Sequence, residues 1–249
     1  RKGIKWFKKI LLDKYFKKEI KPLRKEPKNK LIDYLGWHKQ NDDYHFVGLP
    51  LLSGRLYGEK KSLIRDIVKK YNLDLRLTPN QDILLCNISN KHKLNIEKAL
   101  SKIGYENLDE INEIQRHALA CPALPLCGLA MTEAERILPS ILTRIDDLLK
   151  SLNIKKSILF RMTGCPNGCT RPYMAELALV GSGQNKYQLW LGGSKNLQRL
   201  AKPYLQRMEL DDLEKTLEPL LIHWREFDSE SDFGDFINTQ DENYILNLL

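Results

Sequence analysis

Apolar residues recur on one helical face at Leu63, Ile64, Ile67, Val68 and Tyr71, and again at Ile96, Ala99, Leu100 and Ile103. That three-and-four spacing predicts two helices, each with one side turned to a core. Around them the pattern shortens to apolar runs bounded by turn residues. "YHFVGLPLL" predicts a strand, and "LDLRLTPNQDILLCNI" predicts two strands about a Pro-Asn turn. The order strand–helix–strand–strand–helix predicts an α+β sandwich of ferredoxin-like type over residues 36 to 105.

A second unit, of α/β character, is expected over residues 106 to 227. Thr132 and Glu135 in "MTEAER" have the spacing of a capping box. A helix is expected from Pro139, with Ile141, Leu142, Ile145, Leu148, Leu149 and Leu152 on one face. "SILFRMT", "MAELALVG" and "YQLWLGG" predict three strands. A closing helix carries Leu210, Leu213, Leu217, Leu220, Leu221 and Trp224, with a kink expected at Pro219. Residues 1 to 35 read as a basic helix followed by a linker, because Pro22 and Pro27 cannot continue a helix. Residues 228 to 249 hold six acids and no Lys or Arg, and read as an acidic C-terminal tail.

Composition changes this picture little. The 249 residues are 42% hydrophobic, and no apolar run approaches the roughly 20 residues of a membrane-spanning helix. The basic N-terminus lacks the apolar core and cleavage site of a secretory signal, and a chain beginning with Arg reads as part of a longer protein. The net charge of +8 is local. Residues 1 to 30 hold thirteen Lys or Arg against three acids, and the remainder is slightly acidic. A basic excess confined to one segment argues against a nucleic-acid-binding stripe and for a solvated linker or a docking patch for an acidic partner.

The cysteines change it more. Without a secretory signal, five of them argue against a disulfide framework. Cys86 lies in "DILLCNI" and reads as strand core. The other four form two pairs, Cys121/Cys127 in "CPALPLC" and Cys165/Cys169 in "CPNGC", thirty-seven residues apart. Gly and Pro punctuation presents thiols as ligands more often than as packing groups. The first spacing is wide for structural zinc. Gly164, Asn167 and Gly168 can aim backbone N–H groups at cluster sulfurs, and Pro122 and Pro166 stiffen the loops. The spacing favours an iron–sulfur cluster and leaves zinc and unligated thiols open.

"TGCPNGCTRPYMAELAL", with Glu176 as its acid, resembles the signature of the siroheme-dependent nitrite and sulfite reductase family. "ACPALPLCGLAMTEAERILP" resembles the first-cysteine segment of the sulfite branch. "YQLWLGGS", "DLEKTLEPL" and "FGDF" extend the likeness to the ferredoxin-dependent sulfite reductases, over nearly the whole chain from "YLGWH" onward. His117 in "RHALAC" departs from the pattern and reads as a tolerated substitution rather than a ligand.

The resemblance implies that Cys121, Cys127, Cys165 and Cys169 ligate a 4Fe-4S cluster. It implies that Cys169 also bridges to the iron of a siroheme, where sulfite takes six electrons to become sulfide. Both groups are anionic, so Arg161, Arg171 and Asn167 become candidates for holding them, and the "LGGSKNLQR" turn a candidate source of N–H donors. It further implies a C-terminal portion of a longer enzyme, inactive alone, whose sulfite-binding residues lie in an N-terminal half. A cytoplasmic or plastid-stromal setting follows, with ferredoxin as the acidic partner of Lys14, Lys17, Lys18 and Lys21. The alternatives are a ferredoxin–nitrite reductase or an NADPH–sulfite reductase hemoprotein within the family. Outside it stand an iron–sulfur electron-transfer protein and a zinc-structured binding module.

Overall fold

The structure is a computed structural model that describes residues 2–16, 31–227 and 230–249. Of the lysines assigned to docking, Lys17, Lys18 and Lys21 lie outside the described residues. The chain divides into two compact units, Arg1–Lys30 and Leu31–Leu249.

In the first unit, α1 (Gly3–Leu11) continues into a π-helical turn, Leu12–Phe16. Lys8 and Lys9 sit in the last turn of α1, where cations favour the negative end of the helix dipole. None of its residues is buried, and Ile4, Phe7 and Tyr15 are exposed beside the lysines.

The second unit opens with β1 (Gly36–Lys39), β2 (Tyr44–Leu49), α2 (Gly58–Tyr71), β3 (Asp74–Leu77), β4 (Ile83–Ser89) and α3 (Asn90–Ser101). The strands form an antiparallel sheet in the order β1-β2-β4-β3, so the predicted α+β arrangement is present with β1 added at one edge. Ile64 and Ile67 of α2, and Ile96 and Leu100 of α3, pack on Val47, Leu49, Ile83, Leu85 and Ile88. α2 stops at Asn72, whose left-handed backbone (φ 50°) turns its N–H back to the Val68 carbonyl. Strand β4 breaks its own alternation. Asn87 has φ 62°, and the register with β2 slips between His45 and Val47, so β4 carries an extra residue there. The bulge lets Leu85 and Ile88, three apart, both reach the core. Cys86 is buried on this strand, as expected.

The rest of the unit comprises α4 (Glu113–Arg116), β5 (Leu119–Ala120), α5 (Leu138–Ser151), β6 (Phe160–Thr163), β7 (Leu177–Gly183), β8 (Lys186–Leu191), β9 (Lys202–Glu209), α6 (Leu213–Phe227), α7 (Phe233–Thr239) and α8 (Glu242–Leu248). The sheet runs β5-β6-β7-β8-β9, parallel from β5 to β7 and antiparallel from β7 to β9. α5 turns Leu138, Ile141, Leu142, Ile145 and Leu149 inward, and α6 runs through Pro219 with Leu217, Leu220, Leu221 and Trp224 buried in the same core.

Two expectations are corrected and one strand was not foreseen. No helix starts at Thr132. The hydroxyl of this buried residue bonds elsewhere, and the first helix after it begins at Leu138. "KPYLQRME" forms β9, an edge strand whose side chains are mostly exposed, which explains why it carried no apolar signal. The acidic C-terminal segment is not a loose tail in its described part, because Phe233, Phe236, Ile237 and Ile245 are buried in the main core.

Candidate cysteine site

Cys121 directly follows β5, and Cys165 follows β6 by one residue. These strands are parallel neighbours in register at Ala120 and Met162, so both thiols leave the same edge of the sheet, at the carboxyl ends of its strands. Open parallel sheets characteristically place ligands there. The two loops are stitched together. The N–H of Gly164 donates to Cys121 Sγ at 3.3 Å, and the Gly164 carbonyl accepts from the N–H groups of Met131 (2.8 Å) and Thr132 (3.3 Å). A Cβ on Gly164 would sit 2.6 Å from Cβ of Ala123 and 2.7 Å from the Thr132 carbonyl oxygen, so no larger residue fits. Cys127 closes the first loop through its N–H to the Ala123 carbonyl. In the second, Tyr173 Oη donates to the Pro166 carbonyl at 2.6 Å and the Thr163 hydroxyl to that of Cys165.

Cys121 and Cys165 are buried, Cys127 is half-buried and Cys169 is exposed. Burial pushes the Cys121 thiol up, N–H groups of Gly164 and Ala123 pull it down, and the charges of Cys169 and Cys165 push it up again. Cys127 lies on the loop that Cys121 begins. Among the described residues no three His, Cys, Asp or Glu converge on one point.

Arg161 carries a strong electrostatic signal. It lies on β6, is fully buried, and donates through Nη1 to the Arg171 carbonyl at 3.3 Å, while among the described residues Nε and Nη2 have no partner. Burial, with Arg171 adding repulsion, lowers its pKa to about 10. A buried guanidinium without a counter-ion is costly, and its presence fits a site built to hold an anion. Arg171 is half-buried, has φ 56°, and donates from Nη2 to the Pro79 carbonyl at 3.0 Å. Asn167 is exposed in the Cys165–Cys169 turn. His117 is half-buried with Nδ1 unpartnered, and burial lowers its pKa, keeping the ring neutral beside the site. The donor set, four thiols on loops that follow β5 and β6 and a buried arginine on β6, fits an anionic iron–sulfur centre and a polycarboxylate beside it.

Glu176 ties this edge to the C-terminus. It is wholly buried, with Oε2 accepting from the Leu159 N–H (2.8 Å) and Oε1 from the Gly234 N–H (2.9 Å). Burial raises its pKa from 4.5 to about 7, against the pull of both N–H groups. Buried Asp82 is likewise raised from 3.8 to about 7. The folded state thus holds these protons more tightly than the unfolded chain does. Their stabilising contribution is complete below the unfolded pKa and is lost as pH rises through about 7, on the order of 1–3 kcal/mol per group. The urea midpoint should therefore fall between about pH 4 and pH 7, with a shallower fall in Glu176→Gln. An equal fall in wild type and variant would remove Glu176 from the account.

The site also uses residues that the sequence pattern did not single out for it. Thr132, read as a helix cap, and Tyr187, read only as part of a strand, hydrogen-bond to each other at 3.1 Å. They are 55 residues apart, and no local periodicity announces such a pair.

Fold and site together define an α+β protein in which a ferredoxin-like half domain precedes a sheet with paired cysteines at its strand ends. Residues 38–103 match the family model described as the nitrite/sulfite reductase ferredoxin-like half domain. The chain is similar to sulfite reductases over nearly its whole length. It is 45% identical over 240 residues to the ferredoxin sulfite reductase of Synechococcus elongatus, covering 94% of this chain and 38% of that protein. It is 35% identical over 245 residues to the NADPH sulfite reductase hemoprotein beta-component of Staphylococcus carnosus, covering 95% and 42%. The solved structure of the Mycobacterium tuberculosis NirA protein shares the fold, with a TM-score of 0.76 at 20% identity over 98% of this chain and 47% of that one. The chain spans about two fifths of the length of these curated relatives.

Proposed function

We propose that this chain is the C-terminal part of an assimilatory, ferredoxin-type sulfite reductase, and that Cys121, Cys127, Cys165 and Cys169 hold its 4Fe-4S cluster. One observation carries the reading: thiols leaving adjacent parallel strands beside a buried, unpaired Arg161. When bound, the cluster and a siroheme would relay the six electrons, drawn singly from the donor and taken up with protons, that convert sulfite to sulfide. Cys169, the most open of the four thiols, is the one placed to be shared with the siroheme iron. Arg161 is buried where it can pair with a carboxylate of that group, with Arg171 and Asn167 at the rim. The sulfite-binding residues belong, on this reading, to the part of the relatives' length that this chain does not span. Ferredoxin is the proposed donor, because identity is higher to the ferredoxin-named relative than to the NADPH-named one. Lys14 is exposed as a docking cation requires. A cytoplasmic or plastid-stromal setting completes the proposal; among the described residues no helix is long and apolar enough to cross a membrane.

The test is the visible spectrum and iron content of the full-length protein carrying this chain. Wild type should contain cluster and siroheme. Cys169→Ser should lose siroheme and most of the iron, while Cys86→Ser, a change within the half-domain core, should lose neither and cost about 1 kcal/mol of stability. A colourless protein with one zinc, or equal losses from both substitutions, would overturn the assignment.

A further inference from the structure

We infer that Tyr187 is a positioning residue that, through Thr132, fixes the backbone N–H aimed at the Cys121 sulfur and so tunes the centre that Cys121 ligates. This rests on the proposed function, in which that centre is an iron–sulfur cluster.

Tyr187 is fully buried on β8, and its hydroxyl reaches past the sheet edge into the loop after the first cysteine pair. There it donates to the Glu133 carbonyl at 2.7 Å and accepts from the Thr132 hydroxyl at 3.1 Å. The Thr132 oxygen in turn accepts from the Asn185 N–H at 3.2 Å. A tyrosine hydroxyl has one proton to give, and here it is committed to a carbonyl, which leaves Thr132 only one orientation. Thr132 is therefore held by its side chain from the β7–β8 turn and from β8.

Its backbone passes the restraint on. The Thr132 N–H donates to the Gly164 carbonyl, and the Thr132 carbonyl accepts from Leu124, inside the Cys121–Cys127 loop. Gly164 has no slack on either side. A Cβ on it would strike the Thr132 carbonyl, and one on Gly181 would sit 2.3 Å from the Gly164 oxygen. Gly164 is the residue whose N–H meets Cys121 Sγ. The path Tyr187–Thr132–Gly164–Cys121 is continuous and, at the glycine, tightly packed.

An N–H bond to a ligating sulfur stabilises the more negative, reduced state of a cluster and so raises its reduction potential. Removing the Tyr187 hydroxyl frees Thr132 to turn, loosens Gly164, and lengthens that bond. The potential should move to more negative values, while the tyrosine ring stays packed in the core.

The experiment is an EPR-monitored redox titration of the full-length protein, with the rate of iron loss to a chelator as a second readout. Tyr187→Phe and Thr132→Val should each make the cluster harder to reduce by roughly tenfold, ~59 mV for a one-electron couple, and hasten iron loss. Thr132→Ser, which keeps the hydroxyl, should retain the wild-type potential. Ile245→Val, in the core but away from these loops, should lower thermal stability without moving the potential. If Tyr187→Phe does not fold, Thr132→Val against Thr132→Ser decides the matter. A loaded cluster whose potential ignores the loss of the hydroxyl overturns this inference alone. A wild-type protein without an iron–sulfur centre overturns the proposed function and this inference with it.

Discussion

Arg161→Met should make the cofactor-free chain more stable and the cofactor-loaded protein poorer. The guanidinium is fully buried and, among the described residues, has two nitrogens without a partner and one hydrogen bond, to the Arg171 carbonyl. Replacing a buried charge with an apolar side chain of similar reach removes a desolvation penalty and stabilises by about 1–4 kcal/mol. The loaded protein should show the opposite sign. An anionic group seated against the substituted side chain loses its charge partner, and siroheme content should fall severalfold. Urea unfolding of the cofactor-free protein and the siroheme-to-protein absorbance ratio of the loaded protein measure the two effects. If the variant is less stable without cofactor, Arg161 has a protein partner and its anion-binding role fails.

Gly234→Ala should be among the most damaging single-methyl changes in the described fold. A Cβ there would lie 1.8 Å from the Gly193 carbonyl oxygen and 3.0 Å from Cγ of Glu176. The first is a backbone atom with nowhere to move, because the turn after β8 packs against α7 at this point. The same shift would pull the Gly234 N–H from Glu176, leaving a buried carboxylate oxygen short of its donor. Overpacking and the lost bond together should cost at least ~3 kcal/mol. Limited proteolysis should then cut the segment carrying α7 and α8, which wild type protects. Gly128→Ala, where a Cβ meets nothing, is the matched control and should unfold at the wild-type midpoint. Similar midpoints for both variants would show that the Gly193–Gly234 approach does not constrain the fold.

What could be read from the chain beforehand follows the range of the interactions. α5 and α6 were legible because their buried faces repeat at helical spacing. Strand β9 was not, since an edge strand containing Pro203 buries only Met208 fully and shows no regular apolar alternation. The capping-box spacing at Thr132 misled because a spacing specifies which bonds are possible locally, and Tyr187 offered a better partner from another strand. The C-terminal acids hid two short helices, whose four buried apolar side chains are too few and too irregularly spaced to outweigh the charge around them. At the site, the cysteines and Arg161 were legible because their chemistry is written in adjacent residues. The network that holds them is not, because it joins a loop to a strand half a hundred residues later.

The turn between β3 and β4 touches both cysteine segments. Gln81 donates from Nε2 to the carbonyl of Ala120, the residue before Cys121, and Pro79 accepts from Arg171, two residues after Cys169. The half domain that carries this turn has a core of its own, from Val47 to Leu108, made wholly of residues translated before Cys121. Because domains fold as units and N-terminal ones first during synthesis, both thiol-bearing loops emerge from the ribosome to meet a finished template. On the proposed function, the half domain is then a jig for maturation: it sets the spacing of the two loops before a cluster is assembled on them.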